Sequence, residues 1–112
     1  MHNPAADPDN MQMTDFWCDF CRSPWSEGRP MVEGHQGSLI CGSCLKVAYV
    51  ETLVSKTSSA PAGSKCSLCL EERTDRLWRS PMHEDVIACE RCIRQASTAL
   101  SQDPDSGWNR PA

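Results

Sequence analysis

Apolar residues recur at three- and four-residue spacing in two segments of the chain, one from Cys41 and one from Cys89. This spacing predicts two amphipathic helices that each pack one face against a core. The predicted inner faces are Leu45, Ala48, Tyr49, Thr52 and Leu53 in the first helix, and Ile93, Ala96, Ser97 and Leu100 in the second.

The first helix also carries a second apolar stripe, formed by Val47, Val50 and Val54. A helix on the surface of a single small domain needs only one apolar face. We therefore expect these three valines to lie at a contact between two parts of the chain.

The cysteines form an internal repeat. They occur as four C-x2-C pairs, and adding 48 to each cysteine number of the first two pairs gives the last two pairs. The first quartet is Cys18, Cys21, Cys41 and Cys44, and the second is Cys66, Cys69, Cys89 and Cys92. Such a repeat indicates two copies of one structural unit.

Within each copy, a short hairpin is expected between the two cysteine pairs. The candidate strands are Met31–Val32 and 38–40 in the first copy, and 76–79 and 85–88 in the second. Their first strands do not align at an offset of 48, which predicts a longer hairpin turn in the second copy.

These patterns predict five segments: a disordered tail (1–14), a first module (15–55), a flexible linker (56–64), a second module (65–100) and a C-terminal tail (101–112). The linker is small and polar and contains Pro61 and Gly63, as is typical of connecting segments. In the C-terminal tail, Trp108 is the one residue expected to dock on another surface.

The composition indicates that metal stabilises both modules. Only 39% of the 112 residues are hydrophobic, a small stock for two separate cores. Two C-x2-C pairs separated by 15–20 residues are a recognised zinc signature. Four thiolates complete a tetrahedral Zn²⁺ site and leave no position for water or substrate. We therefore predict two zinc ions, one in each cysteine quartet.

Other uses of eight cysteines fit less well. A disulfide scaffold suits secreted proteins, whereas the N-terminus has neither a basic cluster nor an apolar run, and we expect a cytoplasmic protein. A redox C-x-x-C pair would not require matched quartets, and an iron–sulfur cluster remains an alternative that four cysteines allow. His35 and His83 also differ by 48 in number, but we expect them to be solvated turn residues.

The charge balance disfavours nucleic acid as the first partner. The formal net charge is −4, and two zinc–thiolate sites would bring it to about −8. Phosphate contacts dominate nucleic-acid affinity and require a basic surface. The second module comes closest to such a basic surface, with six basic and six acidic residues over 65–100. A nucleic-acid-binding or transcription-associated zinc protein is therefore the alternative function.

Both copies resemble the N-terminal zinc-binding domain of the ClpX family. In the first, the resemblance lies in Phe20 between paired cysteines, Gly34 in a turn, and the run Leu39–Leu45 that leads into a helix. In the second, it lies in 66–69 and in Ile87–Ile93. The resemblance covers roughly 15–55 and 65–100.

The resemblance implies a treble-clef fold, one zinc per four-cysteine module, dimerisation through apolar surface, and recognition of substrates and adaptor proteins. Two departures limit it. Arg22 and Leu70 stand where that family usually has glycine, so a different knuckle geometry is expected. No G-x-x-x-x-G-K-[ST] motif is present, so the ATPase function does not follow.

The sequence thus predicts a small α+β, zinc-stabilised protein with two treble-clef-like modules in tandem. We expect it to act without catalysis, because closed zinc sites offer no coordination position for chemistry. Its expected partner is a protein or peptide, and its two modules are expected to pack as an intramolecular pseudo-dimer, or as a homodimer between chains.

Overall fold

The first module is a hairpin followed by a helix in the computed structural model, which describes residues 1–111. A short 3-10 turn, Met13–Asp15, precedes it. Strand β1 (Met31–Glu33) pairs antiparallel with β2 (Leu39–Cys41), and α1 (Gly42–Tyr49) begins at the next residue. A π-helical turn, Val50–Val54, continues α1.

The second module repeats this order. Strand β3 (Leu77–Arg79) pairs antiparallel with β4 (Ile87–Cys89), and α2 (Glu90–Gln102) follows directly. The two hairpins, two helices and two cysteine clusters confirm the predicted small α+β architecture of two zinc-stabilised modules.

The hairpin turns differ in length as the sequence predicts. Strands β2 and β4 align at an offset of 48, whereas β1 and β3 align at 46. The turn of the first hairpin therefore spans 34–38, and that of the second spans 80–86. The two extra residues bring a different set of side chains to the tip of the second hairpin.

A cysteine caps the N-terminus of each helix. Cys41 and Cys89 have extended backbones and act as N-caps, and their sulfurs accept the main-chain N–H of Cys44 and Cys92. A cap of this kind satisfies one of the free N–H groups of the first turn. The inner helix faces are buried as expected, with Leu45, Ala48, Ile93, Ala96 and Leu100 at most 4% exposed.

The two modules contact each other through reciprocal elements. Helix α1 packs against α2, α2 lies against β1, and the π-helical turn lies against β3. The Phe20 and Trp78 rings stack with centroids 5.4 Å apart. The Ser80 hydroxyl donates to the Phe20 carbonyl at 2.6 Å.

The three valines predicted to lie at this contact are only partly covered, and their role there stays a prediction. Val47, Val50 and Val54 are 45%, 38% and 44% exposed, whereas Thr52 in the same π-helical turn is fully buried. The first helix does take part in the contact, but its valine stripe remains largely open. The main-chain N–H of Ser55 bonds to the Val50 carbonyl at 2.8 Å, which is the wide i→i+5 pattern of a π-helical turn, and Thr52 faces inward as predicted.

The segments predicted as tails and linker make specific contacts. Trp17 donates its main-chain N–H to Met1 at 2.8 Å, and Ser59 donates to Leu77 of β3 at 2.8 Å. Trp108, the tail residue expected to dock on another surface, donates its indole N–H to the Gly42 carbonyl at the start of α1 at 2.9 Å. The five segment boundaries, and the disorder of the ends, stay predictions. No helix within residues 1–111 combines the length and apolarity needed to cross a membrane.

Candidate metal centres

The structure brings the first cysteine quartet together. The sulfurs of Cys18, Cys21, Cys41 and Cys44 all lie within 4.8 Å of one another, and the Cys21 and Cys41 sulfurs are 3.7 Å apart. Four sulfurs about 2.3 Å from a tetrahedral zinc ion are about 3.8 Å from each other. The donor set and its spacing therefore suit one Zn²⁺.

The second quartet has the same arrangement. The sulfurs of Cys66, Cys69, Cys89 and Cys92 also lie within 4.8 Å of one another, and those of Cys69 and Cys89 are 4.0 Å apart. All eight cysteines are free of disulfides. The two clusters are each suited to hold one zinc ion, which matches the cofactor predicted from the sequence.

Main-chain N–H groups point at the sulfurs in a pattern that repeats at an offset of 48. The Cys18 sulfur accepts from Phe20 and Cys41, both at 3.3 Å. The Cys66 sulfur accepts from Leu68 at 3.4 Å and from Cys89 at 3.3 Å. N–H donors lower the energy of an anionic sulfur, so each backbone is already arranged for thiolates.

The knuckle turns also repeat. Arg22 donates to the Cys18 carbonyl at 2.8 Å, and Leu70 donates to the Cys66 carbonyl at 2.9 Å. Arg22 and Leu70 have φ values of 61° and 63°, the left-handed region that favours glycine. Both knuckles thus adopt a backbone conformation that favours glycine although neither has glycine there, and a knuckle geometry different from that of the family stays a prediction.

Each knuckle is tied to its own hairpin by the residue after its first cysteine. Asp19 donates to the Leu39 carbonyl at 2.9 Å, and its carboxylate accepts the Leu39 N–H at 2.6 Å. Ser67 makes the same pair of bonds with Ile87, at 2.7 and 3.0 Å. Two bonds per module fix the first cysteine pair opposite the second.

Crowding of four thiols opposes the ionisation of all of them at once. Hydrogen bonds from Cys18 and then Cys44 lower the pKa of Cys41 to about 3. Hydrogen bonding with Cys18 and then Cys41 raises the pKa of Cys44. The pKa values in the second quartet are shifted in opposite directions as well. Hydrogen bonding with Cys89 lowers the pKa of Cys66, and hydrogen bonding with Cys66 raises the pKa of Cys92. A divalent ion removes this conflict, because it stabilises every thiolate at once.

Charged side chains surround the second centre more closely than the first. Arg91 pairs with Glu71, and contacts with Glu71 and then Cys69 raise the pKa of the Arg91 guanidinium. The residue 48 positions before Arg91 is Ser43, which is uncharged. A cation beside Cys69 partly offsets the negative charge of a four-thiolate site, and Ser43 gives the first centre no such compensation.

The histidines stay outside both clusters. Within residues 1–111, the groups of potential metal ligands contain cysteines alone. His35 is exposed in the first hairpin turn, and His83 is partly exposed in the second. The prediction that both are turn residues rather than ligands agrees with this placement.

Residues 17–50 match the family model described as the ClpX C4-type zinc finger. The first module is a zinc-binding finger of ClpX type. The second module has no family match of its own, so its likeness to the first depends on the 48-residue repeat and the shared bonds. No curated protein and no solved structure matches the chain.

Sequence reasoning missed the residues that join the two modules. The Ser80 hydroxyl donates to Phe20 at 2.6 Å, and the His35 main-chain N–H donates to Leu68 at 2.7 Å. Phe20 and Leu68 correspond at the 48-residue offset. Each hairpin turn therefore binds the same carbonyl of the opposite knuckle, a relationship that only the repeat alignment could have suggested.

Proposed function

We propose that this chain is a non-enzymatic protein-interaction module, in which two ClpX-like zinc fingers pack as an intramolecular pseudo-dimer and together bind a protein or peptide partner. The observation that carries the proposal is the reciprocal contact between turn and knuckle, Ser80 to Phe20 and His35 to Leu68. Because each module uses the same knuckle position, the two contacts have the character of a two-fold interface.

The packing of the aromatic rings supports a stable joint. Phe20 is 1% exposed and Trp78 is 2% exposed, and stacked aromatic pairs contribute about 0.5–1.5 kcal/mol beyond the area they bury. The Cα radius of gyration is 13.6 Å. One compact unit of this length is expected to have about 13 Å, whereas two separated modules would have more.

The closed cysteine sites support binding rather than catalysis. A zinc ion held by four thiolates has no open position to polarise a substrate or activate water. The ions would instead fix the knuckles and hairpins, and so shape the surfaces between the modules. The free thiols of both quartets suit a reducing compartment such as the cytoplasm.

The test is zinc-dependent binding to an array of immobilised random dodecapeptides. The zinc-loaded chain should bind a subset of them, and the same chain after chelation should bind none until zinc is restored. The matched control is the chain with both second cysteine pairs replaced by serine. Binding by the chelated chain that equals binding by the loaded chain would contradict the proposal, as would the absence of binding in both.

A further inference from the structure

Two grooves occupy corresponding places in the two modules. Each lies between the knuckle and helix start of one module and the hairpin turn of the other. The first groove has a volume of about 250 Å³, and Phe20 and Val47 of the first module line it together with Trp78, Pro81 and Met82 of the second.

The second groove lies at the equivalent position but has different chemistry. Its volume is about 350 Å³, and it is lined by Leu68, Arg91 and Gln95 on one side and by Glu33 and His35 on the other. The guanidinium of Arg91 is already bonded to the Glu71 carboxylate. This groove is therefore polar, and its cation has a partner within the chain.

The lining residues of the two grooves correspond to each other through the 48-residue repeat. At an offset of 48, Leu68 replaces Phe20, and Gln95 replaces Val47. The first groove is apolar at both of these positions and adds Met82, which is 68% exposed. The symmetry of the backbone is thus broken by the side chains, and the two grooves would not bind the same ligand.

The rim of the first groove carries an available positive charge. Arg29 lines this groove and forms no ion pair with any carboxylate in residues 1–111, in contrast to Arg73, Arg76, Arg91 and Arg94. A partner with a carboxylate close to an apolar side chain would complement the charge of Arg29 and the apolar lining of this groove.

The size and lining of the first groove favour a polypeptide segment. Val47, Pro81 and Met82 give it an apolar lining, and grooves that bind extended peptides take alternate side chains of the segment in pockets of this kind. The cavity is smaller than the 300–1,000 Å³ usual for small-molecule sites, and suits one or two side chains.

From these features we infer that the first groove binds an extended acidic–apolar segment of a partner protein. An apolar side chain of the segment lies between Val47 and Met82, and a carboxylate lies beside Arg29. The second groove does not bind this segment, so the chain takes one copy of it. The inference rests on the proposed function, and it specifies the ligand chemistry and the stoichiometry.

The experiment is a fluorescence anisotropy titration of the zinc-loaded full chain with a labelled octapeptide that has two leucines flanked by aspartates. The variants are Val47→Glu and its matched control at the equivalent position, Gln95→Glu. We expect one peptide per chain, an affinity about tenfold or more weaker for Val47→Glu, and a change of less than about twofold for Gln95→Glu. Equal effects of the two variants, or two peptides per chain, would overturn the inference.

Charge reversal tests the rim independently. Arg29→Glu should weaken binding of the acidic peptide by up to about fivefold, and should favour a second peptide in which lysines replace the aspartates. An unchanged preference would assign the carboxylate to another place and overturn this part of the inference. Met82→Asp places a charge in the same groove from the second module and should also weaken peptide binding. Each variant is first shown to retain both zinc ions and the circular dichroism spectrum of the original chain.

The peptide array separates failure of the groove from failure of the function. Zinc-dependent peptides whose binding is insensitive to both Val47→Glu and Met82→Asp would leave the proposed function standing and refute the groove. No zinc-dependent peptide binding at all would refute both.

Discussion

Arg22 and Leu70 occupy the same position in the two knuckles and adopt the same left-handed backbone, with φ values of 61° and 63°. Residues with a Cβ atom pay about 1–2 kcal/mol for this conformation. Both nevertheless donate to the carbonyl of the first cysteine in their module. The turn that brings each first cysteine pair into its cluster therefore overrides the local preference of these residues.

Replacing Arg22 by glycine should stabilise the protein. Glycine removes the left-handed strain of about 1–2 kcal/mol but adds about 0.5–1 kcal/mol of chain entropy loss on folding, which leaves a net gain of up to about 1.5 kcal/mol. Arg22 is exposed, so little packing is lost. Urea unfolding of the zinc-loaded chain measures the gain. Arg22→Ala is the control, since alanine keeps the strain, and equal stability of the two variants would show that φ is not the cause.

Replacing Cys41 by serine should remove one zinc ion of two. Cys41 is fully buried, and it both belongs to the first cluster and caps α1. Structural zinc contributes about 10–16 kcal/mol of apparent binding free energy in small domains, so the first module should lose its fold. Elemental analysis should give one equivalent of zinc for this variant.

His35→Ala and His83→Ala are the controls for that measurement. Neither histidine belongs to a cysteine cluster, so both variants should keep two equivalents of zinc. A loss of metal in either one would mean that histidine replaces a cysteine in the coordination sphere.

The zinc ligands and the order of elements could be predicted from the sequence because chemistry and spacing determine them locally. Two residues between cysteines, a hairpin and a cysteine-capped helix follow from short-range patterns. The longer turn of the second hairpin could be predicted as well, because the candidate first strands do not align at an offset of 48. None of these features depends on which segments far apart in the sequence contact each other.

The contact between the modules was only partly predictable. Helical periodicity identified the valine stripe, but periodicity does not show what covers a stripe, and these valines are 38–45% exposed. Thr52, which the same periodicity placed on the inner face, is buried, and its hydroxyl donates to the Ala48 carbonyl at 2.6 Å. The actual joint uses main-chain carbonyls, as at Phe20, and such groups leave no pattern in a sequence.

Replacing Gly34 by alanine should separate the two modules. A Cβ atom at this position would lie 2.5 Å from the Leu68 carbonyl oxygen and 2.7 Å from the Ser38 hydroxyl oxygen. A backbone carbonyl cannot rotate away, so overpacking should cost about 1–3 kcal/mol. Small-angle scattering should give a larger radius of gyration, and the zinc content should remain at two equivalents.

Gly28→Ala is the matched control for this separation. A Cβ atom at Gly28 has no neighbour within 4 Å, so the radius of gyration should stay at its original value. If Gly34→Ala keeps the original dimensions and the original stability, the turn of the first hairpin does not hold the knuckle of the second module.

Replacing Gly42 by alanine should release Trp108 from the first helix. The Trp108 indole N–H donates to the Gly42 carbonyl at 2.9 Å, and a Cβ atom at Gly42 would lie 2.8 Å from Cδ1 of the same ring. The ring must move to admit the methyl group, because the helix backbone beside it is fixed by the Cys41 cap. In a ¹H–¹⁵N spectrum, the indole signal of Trp108, identified by its loss in Trp108→Phe, should shift towards the position of a solvated indole and exchange faster with water. The other three indole signals should stay in place, and an unmoved Trp108 signal would show that the ring and the added methyl group fit together without displacement.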